Sequence, residues 1–383
     1  MVGFLAGDDL SPNPIELARR TAPSYIDLTS SNPTEHGLLF PLEILQDAAA
    51  DYWETRRYTP DSRGQAAARD AICQYYAARA EPLAPTRDDI FVTASTSEAY
   101  SLLFALLAEP GDNVLAPAVS YPLFDYLAAI HNVELRPYAL DETRRWRIDP
   151  ASLRLQTDDR TRAVLVISPH NPTGMVVQRA LPSLTSLGLP VICDEVFAEF
   201  PYAVDHAPPL GALHPELPVF HLGGISKLFA LPDLKLGWIA LNEPARAYAE
   251  RLDVLNDTFL GANALTQRML PALFANGRPF VQHMADTFRA NLDLAIGILG
   301  RCRALTVRAP DGGYYLFVEV HGSPLDEEAL TIYLLGRGVL VHPGYFYGYE
   351  RGTHLMISCL TERERLRDGL TRLVAAIDSL IDN

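Results

Sequence analysis

The stretch GGISKLFALPDLKLGW, from Gly223 to Trp238, places two lysines in an apolar run that begins with glycines. No acidic residue stands at helical spacing from Lys227, and its neighbours are typical of a protein interior. Burying an unpaired ammonium group is costly. One explanation is that the amine of Lys227 is neutral, or bonded to another molecule. The alternative is a lysine that extends its charged end to solvent.

The residues around this stretch predict a mainly parallel sheet. From Ile90 to Leu241, runs of Val, Ile and Leu alternate with helical patterns. Such runs are typical of parallel strands covered on both faces. After Asn242 the pattern changes to long helices and then to short strands mixed with helices. The sequence therefore predicts a large α/β domain at residues 40–275, and a smaller α+β domain built from residues 1–39 and 276–383.

Composition excludes several classes of function. The chain has 383 residues and a formal net charge of −15, and it has no cluster of Lys and Arg. We therefore expect no binding to nucleic acid or to an anionic membrane. We see no signal peptide and no apolar run of membrane-spanning length. The cysteines are scattered without CxxC pairing, so we expect no metal site and a reducing, cytoplasmic location.

Three hydroxyl residues follow the first predicted strand of the sheet, in TASTSEA from Thr93 to Ala99. Ser95, Thr96 and Ser97 stand where a strand ends and a helix begins. Free N–H groups at a helix N-terminus, ringed by hydroxyls, suit a phosphate group. Taken alone, simple helix capping explains the motif equally well, because Ser and Thr are common caps.

Two further motifs follow buried strands. SPHNPTG places Asn171 after the strand RAVLVI, and in ICDEVF another apolar strand ends at Asp194 and Glu195. Ligands bind outside the carboxyl ends of strands in an open α/β sheet. Asn-Pro and Thr-Gly are also turn dipeptides, so the first motif is open to a purely structural reading. Of the two carboxylates, we expect one to be solvated.

The order of these motifs carries more information than any one of them. A phosphate site, an Asn, an Asp and a Lys follow in sequence, each at the end of a predicted strand. Together they describe a pocket for one molecule with a phosphate, a phenolic oxygen, a basic ring nitrogen and an aldehyde. That molecule is pyridoxal 5'-phosphate.

Over nearly its full length, the chain resembles the class I/II aminotransferase family of fold-type I pyridoxal-phosphate enzymes. The motifs that carry the resemblance are IDLTSSNPT, YTPDSRGQAAARDAI, EPGDNVLAPAVSYPLFDY, NPTG, DEVF, SK with LKLGW, and VLVHPGYF. The resemblance implies a mainly parallel seven-stranded sheet sandwiched by helices, with a smaller α+β domain beside it.

The resemblance also assigns roles to individual residues. Lys227 would form the Schiff base and move the substrate proton, and Asp194 would keep the ring nitrogen protonated so that the ring accepts electrons. Asn171 would donate to the phenolic oxygen, Tyr121 would stack on the ring, and Tyr58 would reach the phosphate of a partner subunit in a homodimer. The other predicted cofactor-binding residues are Ser95, Thr96, Ser97, Ser226, Lys235 and Phe197.

Several positions depart from the family pattern. Phe197 stands where Tyr is usual, so we expect the Schiff base to hold its proton to higher pH than in relatives with Tyr. Gly224 replaces a phosphate-binding hydroxyl residue, and Lys235 stands where Arg is commoner. Met356 replaces the Arg that grips the substrate carboxylate.

The loss of that Arg leaves two interpretations open. Groups near Ser31 and Asn32, or an arginine elsewhere, hold the carboxylate, or the amino donor lacks an ordinary α-carboxylate. We predict Ser31, Asn32 and Met356 as substrate contacts. Three further residues are candidates either for the pocket or for packing: Tyr314, Tyr315 and His342.

The leading functional prediction is an aminotransferase that passes an amino group from an amino donor to a keto acid. A lyase that performs β-elimination is the first alternative, since it shares the fold, the cofactor and the early steps. A non-catalytic cofactor-binding regulatory module is the second. Product analysis separates the lyase, and loss of turnover in Lys227→Ala separates the regulatory module.

Overall fold

A computed structural model describes residues 9–259 and 261–382 of the chain. The strands in chain order are β1 (Ile26–Asp27), β2 (Ile90–Thr93), β3 (Asn113–Pro117), β4 (Glu134–Tyr138), β5 (Leu140–Asp141), β6 (Arg147–Ile148), β7 (Thr161–Ile167), β8 (Val191–Asp194), β9 (Val219–Gly224), β10 (Gly237–Leu241), β11 (Leu305–Thr306), β12 (Tyr315–Val320), β13 (Val339–Leu340), β14 (His342–Pro343) and β15 (Thr353–Ser358).

The α-helices are α1 (Pro14–Thr21), α2 (Leu42–Thr55), α3 (Ala66–Ala77), α4 (Thr96–Leu107), α5 (Leu123–Ile130), α6 (Pro150–Gln156), α7 (Pro182–Leu187), α8 (Leu210–Leu213), α9 (Ile225–Leu228), α10 (Ala249–Thr258), α11 (Ala264–Asn276), α12 (Arg278–Leu299), α13 (Glu327–Gly336) and α14 (Arg363–Ile381). Short 3-10 helices span Pro33–His36, Arg87–Asp89, Glu142–Arg144, Pro244–Tyr248 and Gly344–Tyr347. Within the described ranges, no helix combines the length and hydrophobicity that crossing a bilayer requires.

The central sheet has seven strands in the order β2-β10-β9-β8-β7-β3-β4. All neighbouring pairs are parallel except those of β10, which runs antiparallel to β2 and β9. The predicted mainly parallel seven-stranded sheet is therefore confirmed. Its single antiparallel strand brings Gly237 beside Gly224, so the chain between them, which carries both lysines, starts and ends at one edge of the sheet.

Alternate residues of the central strands enter two different cores. Val164 and Val166 pack in the core on one face of the sheet, whereas Leu165 and Ile167 pack in the core on the other. Both faces are covered by helices, so most positions on these strands are apolar. This double coverage explains why the strands appear in the sequence as unbroken apolar runs.

The second sheet is antiparallel, with four strands in the order β11-β12-β15-β14. One of its faces, which includes Leu316 and Ile357, packs in a core with residues of α12 and α14. The other face, which includes Phe317 and Met356, joins the core of the central sheet. The second sheet therefore presents one face to the strand ends that carry the predicted site.

Residues 26–31 form a strap that connects the two sheets. Within this N-terminal strap, β1 pairs in parallel with β13. Ser358, at the end of β15, donates from its backbone N–H to Leu28 O at 2.7 Å and from its hydroxyl to Ser30 O at 2.6 Å. The strap thus holds Ser31 above the carboxyl edge of the central sheet. The domain bounds given above stay a prediction.

Candidate active site

The carboxyl ends of three adjacent strands carry Asn171, Asp194 and Lys227. β8 lies between β7 and β9, with Ile167 in register with Asp194 and Asp194 in register with Leu222. Asn171 follows β7, Asp194 ends β8, and Lys227 lies in the short helix α9 directly after β9. The topology therefore brings these predicted residues to one edge of the sheet.

Asp194 is buried, and both of its carboxylate oxygens are hydrogen-bonded. Oδ1 accepts from the backbone N–H of Val196 at 3.0 Å, and Oδ2 accepts from the hydroxyl of Tyr100 at 2.8 Å. Burial raises the pKa of Asp194 to about 6, against the opposing effect of these donors. A carboxylate in this setting is poised to pair with a cation.

The Lys227 side chain is half-buried, and its Nζ donates to the carbonyl of Ser31 at 2.7 Å. Burial lowers the pKa of the Lys227 amine below its usual range, while nearby Tyr121 and Asp194 oppose this shift. A lowered pKa raises the fraction of neutral, nucleophilic amine. Lys227 and Lys235 are also the only two lysines of the chain.

The N-terminus of α4 is capped as the sequence indicates. Ser95 is the cap, and its hydroxyl accepts from the Glu98 N–H at 3.1 Å. The Glu98 carboxylate accepts from the Ala94 N–H, one residue earlier than a standard capping box. Because an α-helix leaves its first N–H groups without intrahelical acceptors, this end of α4 can receive an anion. The hydroxyl residues Ser95, Thr96 and Ser97 are half-buried around it.

Gly237 lets β10 approach this helix end closely. A Cβ built at Gly237 would lie 2.8 Å from the backbone C of Ser95 and 3.0 Å from the N of Thr96. A Cβ at Gly224 would meet the Leu236 carbonyl at 3.1 Å. At Gly237 a side chain therefore requires the backbone to shift, and at Gly224 it would be tightly packed. Ser226 lies in α9 and is half-buried, and Lys235, at a left-handed φ of 47°, is exposed in the loop before β10.

Asn171 and Tyr121 flank the carboxylate and the lysine. Asn171 is half-buried, and its Oδ1 is buried with no hydrogen-bond partner in the described part of the chain. Tyr121 follows β3, is 43% exposed, and lies near enough to Lys227 to affect its pKa. The unpaired amide oxygen of Asn171 and the exposed ring of Tyr121 are both available to a ligand at this edge.

Phe197 belongs to an aromatic cluster that links the two sheets. Its ring makes edge contacts with Tyr314 at 5.2 Å and Tyr315 at 5.9 Å between ring centroids. The hydroxyl of Tyr314 lies 3.5 Å from the Ser31 carbonyl, which also accepts from Lys227. Tyr314 and Tyr315 are therefore buried packing residues whose cluster borders the lysine.

Met356 is buried in β15, between Phe317 of β12 and His342 of β14 in the strand register. These three residues form a row across the second sheet. His342 Nδ1 lies 3.3 Å from the Tyr347 hydroxyl, and burial lowers the pKa of His342. The row is therefore neutral at the position where the sequence predicts a substrate contact.

The other two predicted substrate residues lie at the end of the N-terminal strap. Ser31 is exposed and turns its carbonyl to Lys227. Asn32 uses its side chain locally, because Oδ1 accepts from the Thr34 hydroxyl at 2.7 Å and the Thr34 N–H at 3.2 Å. Within the described residues, no arginine donates a hydrogen bond to Ser31 or Asn32.

Tyr58 lies apart from this group. It is 71% exposed and lines a surface cavity of about 60 Å³ with Asp61, Gln65 and Asp257. No hydrogen bond or ring contact in the described part of the chain joins it to Lys227 or to α4. Its predicted contact with a cofactor of the other subunit stays a prediction.

The expectation that one of the two carboxylates in ICDEVF is solvated is wrong. Glu195 is as buried as Asp194, and it pairs with Arg79 at 2.7 Å. Arg79 also donates to the Ala207 carbonyl at 2.6 Å. Glu195 thus forms a structural ion pair with Arg79 beneath the site. Of the two carboxylates, only Asp194 is left to face a ligand.

Sequence reasoning also missed Tyr100. Its helix, SEAYSLLFALL, has the apolar pattern of a core helix, and the tyrosine looks like one more packing residue. Its ring does pack, at 4.8 Å from Phe124 between centroids. Its hydroxyl, however, reaches Asp194. The available signal was a single polar group on an otherwise apolar helix face.

A separate cluster brings ligand atoms of Glu142, Glu319 and His354 within 4.8 Å of one another. Arg308 donates to Glu142 at 2.7 Å and to Glu319 at 3.3 Å. The guanidinium group already supplies the positive charge that a metal ion would bring. The arrangement is therefore explained as an ion-pair network.

Known proteins resemble the chain over most of its length. It is 26% identical to tyrosine aminotransferase of Dictyostelium discoideum over 351 residues, 84% of each chain. It is 27% identical to glutamate-pyruvate aminotransferase AlaA of Haemophilus influenzae over 364 residues, 91% of this chain and 89% of that one. The structure of alanine aminotransferase from Pyrococcus furiosus superposes with a TM-score of 0.88 at 25% identity, covering 96% of this chain and 95% of that chain.

The sequence pattern of the family described as aminotransferase class I and II matches residues 23–373. This match covers the central sheet, the second sheet and every predicted site residue. The chain therefore belongs to the class I and II aminotransferases, which are pyridoxal-phosphate-dependent enzymes of fold type I.

Proposed function

We propose that this enzyme transfers an amino group from an amino donor to a keto acid, with Lys227 as the residue that binds the cofactor covalently. The observation that carries the proposal is the position of Lys227. Its Nζ is held by the Ser31 carbonyl, its pKa is lowered by burial, and it stands one strand away from the buried carboxylate of Asp194.

The residues fit pyridoxal phosphate at both ends. The N-terminus of α4, with Ser95, Thr96 and Ser97, would receive the phosphate, and Gly237 keeps that end open to β10. The side-chain NH₂ group of Asn171 would donate to the phenolic oxygen, while its buried Oδ1 has no partner among the described residues. Asp194 would pair with the ring nitrogen. When bound, the cofactor supplies an electron sink for the carbon that loses its proton.

Lys227 also has the properties of the proton carrier. Because burial lowers its pKa, the free amine can take a proton at Nζ and return it without a large free-energy penalty. The Ser31 carbonyl fixes the position of Nζ through an acceptor that does not itself titrate. The exposed ring of Tyr121 lies beside this amine and would cover one face of the cofactor.

We further propose a homodimer in which Tyr58 completes the partner's site. Large apolar side chains are exposed along the segment that precedes and contains it: Leu39, Leu42, Trp53 and Tyr58, with exposures of 66%, 63%, 59% and 71%. Several exposed large apolar side chains in one segment are consistent with a protein interface. The four cysteines are free thiols, which supports a reducing, cytoplasmic location.

The amino donor is the least constrained part of the proposal. The neutral row of Phe317, Met356 and His342 offers no cation to a carboxylate. We therefore expect weak discrimination between an L-amino acid and the matching amine without the carboxylate. Met356→Arg should raise the preference for the amino acid by about 10- to 100-fold, the effect of a hydrogen bond between charged groups.

Met356→Leu is the control, because it conserves volume and apolar character. Donor panels are compared through kcat/KM for both variants and the wild type. An arginine variant that folds and keeps the wild-type preference would show that this row does not face the donor.

The covalent role of Lys227 is directly testable because the chain has only two lysines. The protein is incubated with pyridoxal phosphate, reduced with borohydride and digested, and the labelled peptide is identified by mass spectrometry. We expect the label on Lys227, none on Lys235, and no turnover in Lys227→Ala. Label on Lys235, or an active Lys227→Ala variant, would overturn the proposal.

The lyase alternative is tested with the same preparation. A cysteine conjugate supplied without a keto acid should yield no pyruvate, ammonia or thiol if the enzyme only transfers amino groups. Appearance of these products in the absence of an acceptor would assign β-elimination instead.

A further inference from the structure

Tyr100 is the one side chain that donates a hydrogen bond to Asp194 among the residues that the structure describes. Its hydroxyl lies 2.8 Å from Oδ2, and the other oxygen of Asp194 accepts from the Val196 backbone. Tyr100 is 2% exposed and Asp194 is 6% exposed, so water competes little for this bond. Hydrogen bonds to a charged group are strong when both partners are desolvated.

The tyrosine can act only as a donor in this pair. Its pKa is raised well above the usual value by burial and by the charge of Asp194, so the hydroxyl stays protonated. The ring is fixed by Phe124 at 4.8 Å and Phe104 at 6.1 Å between centroids. The position of the hydroxyl oxygen is therefore set by packing of the ring, independently of the carboxylate.

Tyr100 also lies on the helix whose N-terminus is the candidate phosphate site. It stands one turn after Thr96, the first residue of α4. One rigid element thus carries the groups for the phosphate and the partner of the carboxylate. Any shift of α4 would move both together.

We propose that Tyr100 is a positioning residue that keeps the proton of the pair on the cofactor's ring nitrogen and off Asp194. The inference rests on the proposed function, in which Asp194 meets that nitrogen. Donation by Tyr100 stabilises the carboxylate anion and lowers its proton affinity. A less basic carboxylate leaves the proton on the nitrogen, where it is needed for the ring to accept electrons.

Other charged groups around Asp194 do not replace this donor. Glu195 raises the pKa of Asp194, and its charge is already committed to Arg79. Lys227 lowers the pKa of Asp194 only through its charge, because its Nζ donates to the Ser31 carbonyl and not to the carboxylate. Tyr100 and the Val196 N–H are then the donors that remain.

The test uses holoenzyme loaded with pyridoxal phosphate labelled with ¹⁵N in the ring. The nitrogen chemical shift reports where the proton lies. In Tyr100→Phe we expect this shift to move toward the value of neutral pyridine, with a fall in kcat of about tenfold. The matched control is Tyr138→Phe, which removes an equally buried hydroxyl that donates to the Leu165 carbonyl at 2.9 Å.

Tyr138→Phe should leave the nitrogen chemical shift unchanged, even if this variant loses as much folding stability as Tyr100→Phe. If Tyr100→Phe does not fold, site-specific incorporation of 3-fluorotyrosine at position 100 keeps the ring and strengthens the donor. It should move the nitrogen shift the opposite way, toward pyridinium.

An unchanged shift in the folded Tyr100 variant, or equal shifts in both tyrosine variants, would overturn the inference. That outcome differs from failure of the proposed function, in which borohydride leaves Lys227 unlabelled in the wild-type protein.

Discussion

The close approach of β10 to the end of α4 yields a quantitative prediction for Gly237→Ala. The added Cβ would stand 2.8 Å from the Ser95 backbone C and 3.0 Å from the Thr96 N. These are backbone atoms, so no side-chain rotation relieves the contact. Either β10 or the start of α4 must move, by a distance of about half an ångström.

Gly237→Ala should change two quantities, the free energy of unfolding and the Kd for pyridoxal phosphate. Overpacking of this kind costs about 1–3 kcal/mol in the free energy of unfolding. The atoms displaced are those that would bind the phosphate, and losing one hydrogen bond to a charged group costs about 1.5–3 kcal/mol. We therefore expect the Kd for pyridoxal phosphate to rise by about 10- to 100-fold.

Gly297→Ala is the matched control. Gly297 is exposed within α12, and a Cβ there meets no atom within 4 Å. The same substitution should therefore stabilise the protein by about 0.5–1 kcal/mol, because Ala is the better helix former. Its cofactor Kd should equal that of the wild type.

Urea denaturation of the apoprotein gives the stability, and a cofactor titration gives the Kd. A Gly237→Ala variant with wild-type stability would refute the steric argument. A destabilised variant with unchanged Kd would keep that argument but show that the end of α4 does not hold the phosphate.

Three further predictions concern residues around the site. Phe197→Tyr should lower the pH at which the bound cofactor's visible absorption band titrates, since a hydroxyl there can donate to the phenolic oxygen; a higher titration pH would contradict this. Arg79→Met leaves Glu195 buried without its partner and should cost about 3–5 kcal/mol in urea denaturation; wild-type stability would show that the pair is dispensable. Burial raises the pKa of Asp194 from 3.8 to about 6, so apoprotein stability should fall by about 2 kcal/mol from pH 4 to 6. Asp194→Asn should remove that part of the pH dependence. If the free energy of unfolding falls equally steeply with pH in the variant and the wild type, Asp194 is not its source.

The sequence predicts the architecture well because the architecture depends on local patterns of apolar and polar residues. Unbroken apolar runs indicate a sheet covered on both faces, and Asn171, Asp194 and Lys227 each follow such a run. Parallel connectivity then brings them to one edge. The antiparallel direction of β10 was not predictable, because a buried apolar strand has the same pattern in either direction.

The features that escaped prediction depend on distant partners. Glu195 is separated from Arg79 by 116 residues, so its local pattern could not reveal the ion pair. Tyr100 lies 94 residues from Asp194 and has the helical spacing of a core residue. Lys227 contacts the backbone carbonyl of Ser31. Because every residue has such a carbonyl, no side-chain motif indicates this contact.

The N-terminal strap has a consequence for biosynthesis. Ser30 is anchored by Ser358, which the ribosome adds 328 residues later, and β1 is anchored by β13. A nascent chain that already exposes Lys227 still lacks the strands on which the strap lies, so the carbonyl of Ser31 has no fixed place. Binding of pyridoxal phosphate is therefore expected to follow translation of β15. Ribosome-bound chains that stop before β15 should remain colourless.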